Sequence, residues 1–133
     1  MSTFHLTVST PDGQLFDGEV QSLRLRMLDG DLGLLPNHEN YVAGVGAGEA
    51  VIETETGEKR RAACIGGLLS MLDNRCSLLP TTFEWAEEID LERAQQAKAK
   101  AEERISLAKE DQRELMLASA KLQRALVRIK VKS

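Results

Sequence analysis

The 53 residues from Thr81 to Ser133 contain no glycine and no proline. All ten glycines lie between Gly13 and Gly67, and the three prolines are Pro11, Pro36 and Pro80. A turn-rich first part is therefore followed by a part without backbone breakers, which predicts two bodies. Aromatic residues make up only 4% of the chain. The core must be mostly aliphatic, and no platform for stacking bases or sugars is on offer. The only cysteines are Cys64 and Cys76. The N-terminal residues lack a basic segment followed by an apolar run, so no secretory signal is expected and both thiols are expected free and buried. Neither cysteine has partners at zinc-ligand spacing, and His5 and His38 do not supply them, so no metal site is expected. No run reaches the ~18 apolar residues that span a bilayer.

Acidic residues are missing from 115–133, where five basic residues stand alone. Residues 1–83 hold 6 basic and 11 acidic groups, and residues 84–114 hold 6 and 10. The net charge of −4 excludes a generally basic nucleic-acid binder.

The first part reads as short strands. Phe4, Leu6 and Val8 alternate with His5, Thr7 and Ser9, the period of a half-buried strand. Leu23, Leu25 and Met27 repeat the pattern. Further strands are expected over 41–45, 50–55, 59–65, 68–72 and 76–79. Pro11-Asp12-Gly13, Asp29-Gly30-Asp31, Thr56-Gly57 and Asp73-Asn74 separate these runs as turns. Turn signals about every ten residues predict an antiparallel sandwich or barrel.

Residues 84–133 read as helix, rich in Ala, Glu, Lys, Leu, Gln and Arg. Ala94, Ala97, Ala101, Ile105 and Ala108 form a narrow stripe of small residues. Leu115, Ala118, Leu122, Ala125, Leu126 and Ile129 form a greasier one. Asp111 followed by Glu114 can form a capping box, which predicts a break near 109–111 and a two-helix hairpin. One continuous helix is also compatible. Trp85 is expected as an apolar plug where the helices begin.

Catalytic sets are missing too. His38-Glu39 has no nucleophile at a useful spacing, and the Gly30 and Gly44–Gly48 runs lack the Lys-Ser/Thr ending of a phosphate loop. Arg124 and Arg128 are four apart and share a helix face. An antiparallel hairpin would bring Arg93 near them, and a polyphosphate would relieve their repulsion. The basic tail would suit an acidic protein surface.

Thr10-Pro11-Asp12-Gly13, the Gly30–His38 run GDLGLLPNH, Gly66-Gly67-Leu68, and Ile89-Asp90-Leu91-Glu92-Arg93-Ala94 occur in that order. Together they resemble the epsilon subunits of bacterial and chloroplast F-type ATP synthases over nearly the whole chain. The resemblance implies an α+β chain: a flattened β-sandwich of about ten strands over residues 1–83, then a helical hairpin over 84–133. It implies a non-catalytic rotor subunit on the central stalk, docked on the gamma subunit and the ring of c subunits. Its helices would lie folded or extend along gamma toward the alpha–beta head, where they inhibit ATP hydrolysis. No cofactor is required, but the folded hairpin of several bacterial members binds regulatory ATP; whether Mg accompanies it stays open.

Matched residue by residue, Asp90 and Arg93 belong to the nucleotide segment, Glu84 to an acidic position upstream, and Arg124 and Arg128 to the basic pair of the second helix. Lys100 stands where Arg is common, keeping the charge but losing the bidentate fork. Asn40 stands where many members have Pro, and Leu68 where Phe is common. Partner docking falls to His38, Lys121, Arg124, Arg128 and Lys130. The implied location is the cytoplasmic face of a bacterial cell membrane, with membrane and head contacts only through the complex and no nucleic-acid partner. An adaptor sandwich with a coiled-coil arm, unrelated to an ATPase, is the alternative.

Overall fold

The computed structural model describes residues 2–133. Seven strands come first: β1 (Phe4–Thr10), β2 (Gly13–Met27), β3 (Gly30–Leu34), β4 (Tyr41–Gly44), β5 (Ala47–Thr54), β6 (Lys59–Leu72) and β7 (Arg75–Trp85). A 3-10 turn, Ala86–Glu88, leads into α1 (Leu91–Ala108) and α2 (Gln112–Lys132). The chain divides into two compact units between Trp85 and Ala86.

Alternation decides the first unit. Phe4, Leu6 and Val8 are fully buried, as are Val20 and Leu23, while the residues between them face outward. The strand order is β1-β7-β6-β5-β2-β3, with β4 added on β6, and β1 also pairs with β2. Since β1 is bonded on both sides, the sheet closes on itself around one aliphatic core. Trp85 is 7% exposed and belongs to that core. Phe83 and Phe16 meet it edge-on at 4.9 and 6.3 Å, and the Arg60 guanidinium lies 3.6 Å from its ring centre.

Two expectations need correcting. The strands number seven rather than about ten, because β2, β6 and β7 run for 15, 14 and 11 residues. The segments 59–65 and 68–72, expected as separate strands, form one strand that bends at Gly66–Gly67 without losing its ladder to β7. Nor is the sheet wholly antiparallel. β1 lies parallel to β7, with His5 opposite Arg75 and Val8 opposite Leu78. The Pro11–Gly13 turn makes β1 antiparallel to β2, and inserting β1 beside β7 then leaves only the parallel sense there.

The bend depends on glycine. Gly67 has φ +107°, and a Cβ there would stand 2.1 Å from the Leu79 carbonyl oxygen and 2.6 Å from Pro80 Cα. No L side chain fits this position.

In the second unit the helices are held by a seam of alanines spaced by heptads: Ala94 and Ala101 of α1, Ala118 and Ala125 of α2, all buried. Ala97, expected on this seam, is exposed. Asp90 caps α1 by accepting from Arg93 N–H at 3.1 Å. Asp111 caps α2 by accepting from Glu114 N–H at 3.0 Å, so the break falls where the sequence predicts. The capping box is only half formed. Asp111 N–H donates to the Ala108 carbonyl, and the Glu114 carboxylate turns instead to Arg104 Nε at 2.8 Å.

Candidate functional site

On the hairpin, two contacts set the register. Arg104 meets Glu114 beside the interhelical turn, and Lys132 Nζ donates to the Ala86 carbonyl at 3.1 Å at the other end. The same register brings Asp90 level with Arg128 and Ala94 level with Arg124. Arg93, Lys100 and Arg104 recur at seven and four residues, so they stack along one flank of α1. Lys121 and Arg128 stack likewise on α2 in line with Glu114, with Arg124 beside them. The Arg104–Glu114 pair places both stacks on the same side of the hairpin. A cationic flank results, crossing from α1 to α2 and carrying Arg93, Lys100, Arg124, Arg128 and Lys121. Lys100 lies two turns beyond Arg93, roughly 10 Å along the axis.

Such a flank has the chemistry for a polyphosphate. Guanidinium groups offer forked donors, and an anion among them offsets their mutual repulsion. Asp90 brings a carboxylate level with Arg128, with one oxygen already engaged by the helix cap. Glu84 is on β7 opposite Ala63, in the sandwich unit, where 84–133 was expected to be helical. β7 continues because Phe83 and Trp85 alternate with Glu84 and bury their rings in the sandwich core. Lys130 is exposed and, two residues past Arg128, faces the opposite side of α2.

His38 is in the β3–β4 loop of the sandwich unit, so the expected docking residues are split between the two units. It is half-buried, edge-on to Tyr41 with ring centres 6.2 Å apart, and its Nδ1 donates to the Glu39 carbonyl at 2.8 Å. The other histidine, His5, sits between two carboxylates, 2.8 Å from Glu19 and 2.5 Å from Asp17. The hydrogen bond with Glu19 leads in raising its pKa above the ordinary 6.5, and Asp17 adds to this. Glu19 is lowered, first by the Thr3 hydroxyl and then by His5. Burial pushes both cysteine thiols up to about 12.

A second surface escaped the sequence reading. On the outer face of β4, β6, β7 and β1, Val42, Ser70, Ser77 and Thr7 form one cross-strand row, and Gly44, Leu68 and Leu79 form the next. Val42, Leu68, Leu72 and Leu79 are 45–59% exposed there, and Leu28 beside Gly44 is 77% exposed. The end near His5 and Arg75 dips into a shallow groove of about 340 Å³. An exposed apolar face of this kind marks an interaction surface. The signal was in the sequence. Leu68-Leu69, Met71-Leu72 and Leu78-Leu79 place apolar residues on both faces of strands that would alternate if one face were wet.

Residues 3–86 match the family described as ATP synthase, Delta/Epsilon chain, beta-sandwich domain, and residues 87–133 match its long alpha-helix domain. Among relatives, the ATP synthase epsilon chain of Caldicellulosiruptor bescii is 38% identical, covering 98% of this chain and 94% of its own. The epsilon chain of Syntrophomonas wolfei is 39% identical over 97% and 93%, and that of Bacillus velezensis 37% over 98% of each. The fold resembles a chain of the Euglena gracilis mitochondrial ATP synthase OSCP/F1/c-ring structure. There the TM-score is 0.82 and the identity 23%, covering 92% of this chain and 77% of that one. With a sandwich and a hairpin both matched and relatives of this identity along almost its entire length, the chain belongs to the epsilon-chain family of the F-type ATP synthases.

Proposed function

We propose that this chain is a non-catalytic central-stalk subunit that docks through its sandwich and regulates ATP hydrolysis through its hairpin. The observation that carries this is the division of labour between the two units. The sandwich carries an exposed apolar face on a closed sheet, while the two helices of the separate hairpin unit meet along a narrow seam of buried alanines. The apolar face suits the gamma subunit. The His38 loop and its exposed Leu35 suit the c-ring.

The hairpin has two uses for its charge. Folded, the flank of Arg93, Lys100, Arg124 and Arg128 receives the phosphates of a regulatory ATP, with Asp90 ordering the start of α1. Extended, Lys121, Arg124, Arg128 and Lys130 meet acidic surfaces of the alpha–beta head and slow hydrolysis. ATP favours release only by its higher affinity for the folded form. No helix among the described residues is long and apolar enough to cross a membrane. The chain then reaches the cytoplasmic face of the membrane through the complex.

Deleting residues 86–133 tests the brake, since β7 ends at Trp85 and the sandwich stays whole. Hydrolysis by the reconstituted complex should rise at low ATP; unchanged hydrolysis at every ATP concentration refutes the brake. Calorimetric titration of ATP onto the full chain and onto Arg93→Ala tests the site. Equal binding to both, or none to either, removes the nucleotide reading.

A further inference from the structure

The β3–β4 loop, residues 35–40, has no regular structure, yet two asparagine amides stitch it to the β6–β7 turn. Asn74 Oδ1 accepts from Asn37 N–H at 2.6 Å, and Asn74 Nδ2 donates to the Thr3 carbonyl at 3.0 Å. The Asn74 carbonyl also accepts from His5 N–H at 3.3 Å. In return, Asn40 Oδ1 accepts from Asp73 N–H at 3.0 Å. The loop thus holds the turn through Asn40, and the turn holds the loop and the start of β1 through Asn74. Asn37, Asp73 and Asn74 all have left-handed backbones, with φ of 64°, 50° and 64°. Asn and Asp reach that region more readily than other side-chain-bearing residues.

These bonds lie outside the core, two of them exposed and the Asn74–Thr3 bond part-buried. Their effect is on the loop. They fix the backbone on both sides of His38 and present Leu35, which is 63% exposed. A loop already in its bound shape pays no ordering cost on docking.

We propose that Asn74 and Asn40 are positioning residues that hold the His38 loop in its docking shape before the partner arrives. The inference rests on the reading that this loop docks. Without the amides the competent shape is a fraction of the population, and apparent affinity falls by that fraction.

The test uses the full chain and synthase complex stripped of this subunit. Asn74→Gly keeps the left-handed backbone accessible and removes both side-chain bonds, and Asn40→Ala removes the third. Exchange at the Asn37 and Asp73 amides is read by NMR, with thermal unfolding and affinity for the stripped complex. In the double variant both amides should exchange at least about tenfold faster, β6 amides should be unchanged, and affinity should fall about tenfold. Asn74→Asp keeps the acceptor for Asn37 N–H and should retain that protection and most of the affinity. Unchanged exchange overturns the inference. Faster exchange with unchanged affinity, while His38→Ala weakens binding, overturns the positioning role alone. If His38→Ala is silent as well, the docking reading fails and the inference with it.

Discussion

Replacing Ala118 by Leu should open the hairpin and leave the sandwich intact. Ala118 is 0% exposed and sits on the seam with Ala94, Ala101 and Ala125. Four buried methyls contribute about 3 kcal/mol, at roughly 0.8 kcal/mol each. Half-buried Ile105, Leu115, Leu122 and Ile129 add to this. The Arg104–Glu114 pair, about a third exposed on each side, adds only about 0–1 kcal/mol. Forcing a leucine into a seam this tight costs about 1–3 kcal/mol. The same range corresponds to roughly 5- to 150-fold more opening, and it takes away much of what the alanines supply. Hydrogen exchange of the full chain by mass spectrometry reads this directly. Peptides from 91–108 and 112–132 should exchange faster by that factor, while β6 and β7 peptides stay protected. On the proposal that ATP binds the folded hairpin, ATP should relieve inhibition less well in the reconstituted complex, because that form is depleted. Unchanged exchange in both helices refutes the reading that the buried alanine seam holds the hairpin together. Loss of protection in β6 together with the helices refutes the independence of the two units.

Other outcomes follow from the same structure. Gly67→Ala adds a Cβ 2.1 Å from the Leu79 carbonyl at a φ of +107°. Backbone strain alone costs about 1–3 kcal/mol, so a fall in the thermal midpoint of the sandwich should be plain by calorimetry, and a wild-type midpoint would contradict the packing at the bend. His5 has a raised pKa, so its stabilisation of the β1–β2 pair is complete below 6.5 and is lost as pH rises through its folded value. Glu19 has a lowered pKa, so its contribution is present above 4.5 and is lost as pH falls through its folded value. Stability from this cluster should therefore peak between those limits, and His5→Gln should flatten the alkaline side of a denaturation-versus-pH curve. Cys64 and Cys76, with thiols held near 12, should resist alkylation at pH 8 in the native chain and react at once in denaturant. Rapid native labelling would contradict their burial.

What could be read from the chain alone was whatever depends on near neighbours. The missing glycine and proline after Pro80 marked the helical unit, because those residues act on the local backbone. Asp111 and Glu114 marked the helix break because capping needs only a three-residue spacing. Period-two alternation marked the strand from Phe4 to Val8. Pairing between distant segments was decided only by the tertiary structure. Nothing near Phe4 says that β1 lies parallel to β7, since the direction follows from closing the sheet. Nothing near Glu84 says that the strand outlasts it, because Trp85 is drawn into the sandwich by Phe16, Phe83 and Arg60. Helix spacing puts Arg124 and Arg128 on one face of α2, and an antiparallel hairpin brings Arg93 to their end. The side of the hairpin they share depends on Arg104 meeting Glu114, ten residues away across the turn. The Asn74 bonds, which reach 37 and 71 residues along the chain, have no local signature. Asparagine in a turn is ordinary, and only the fold supplies the two backbones that its amide joins.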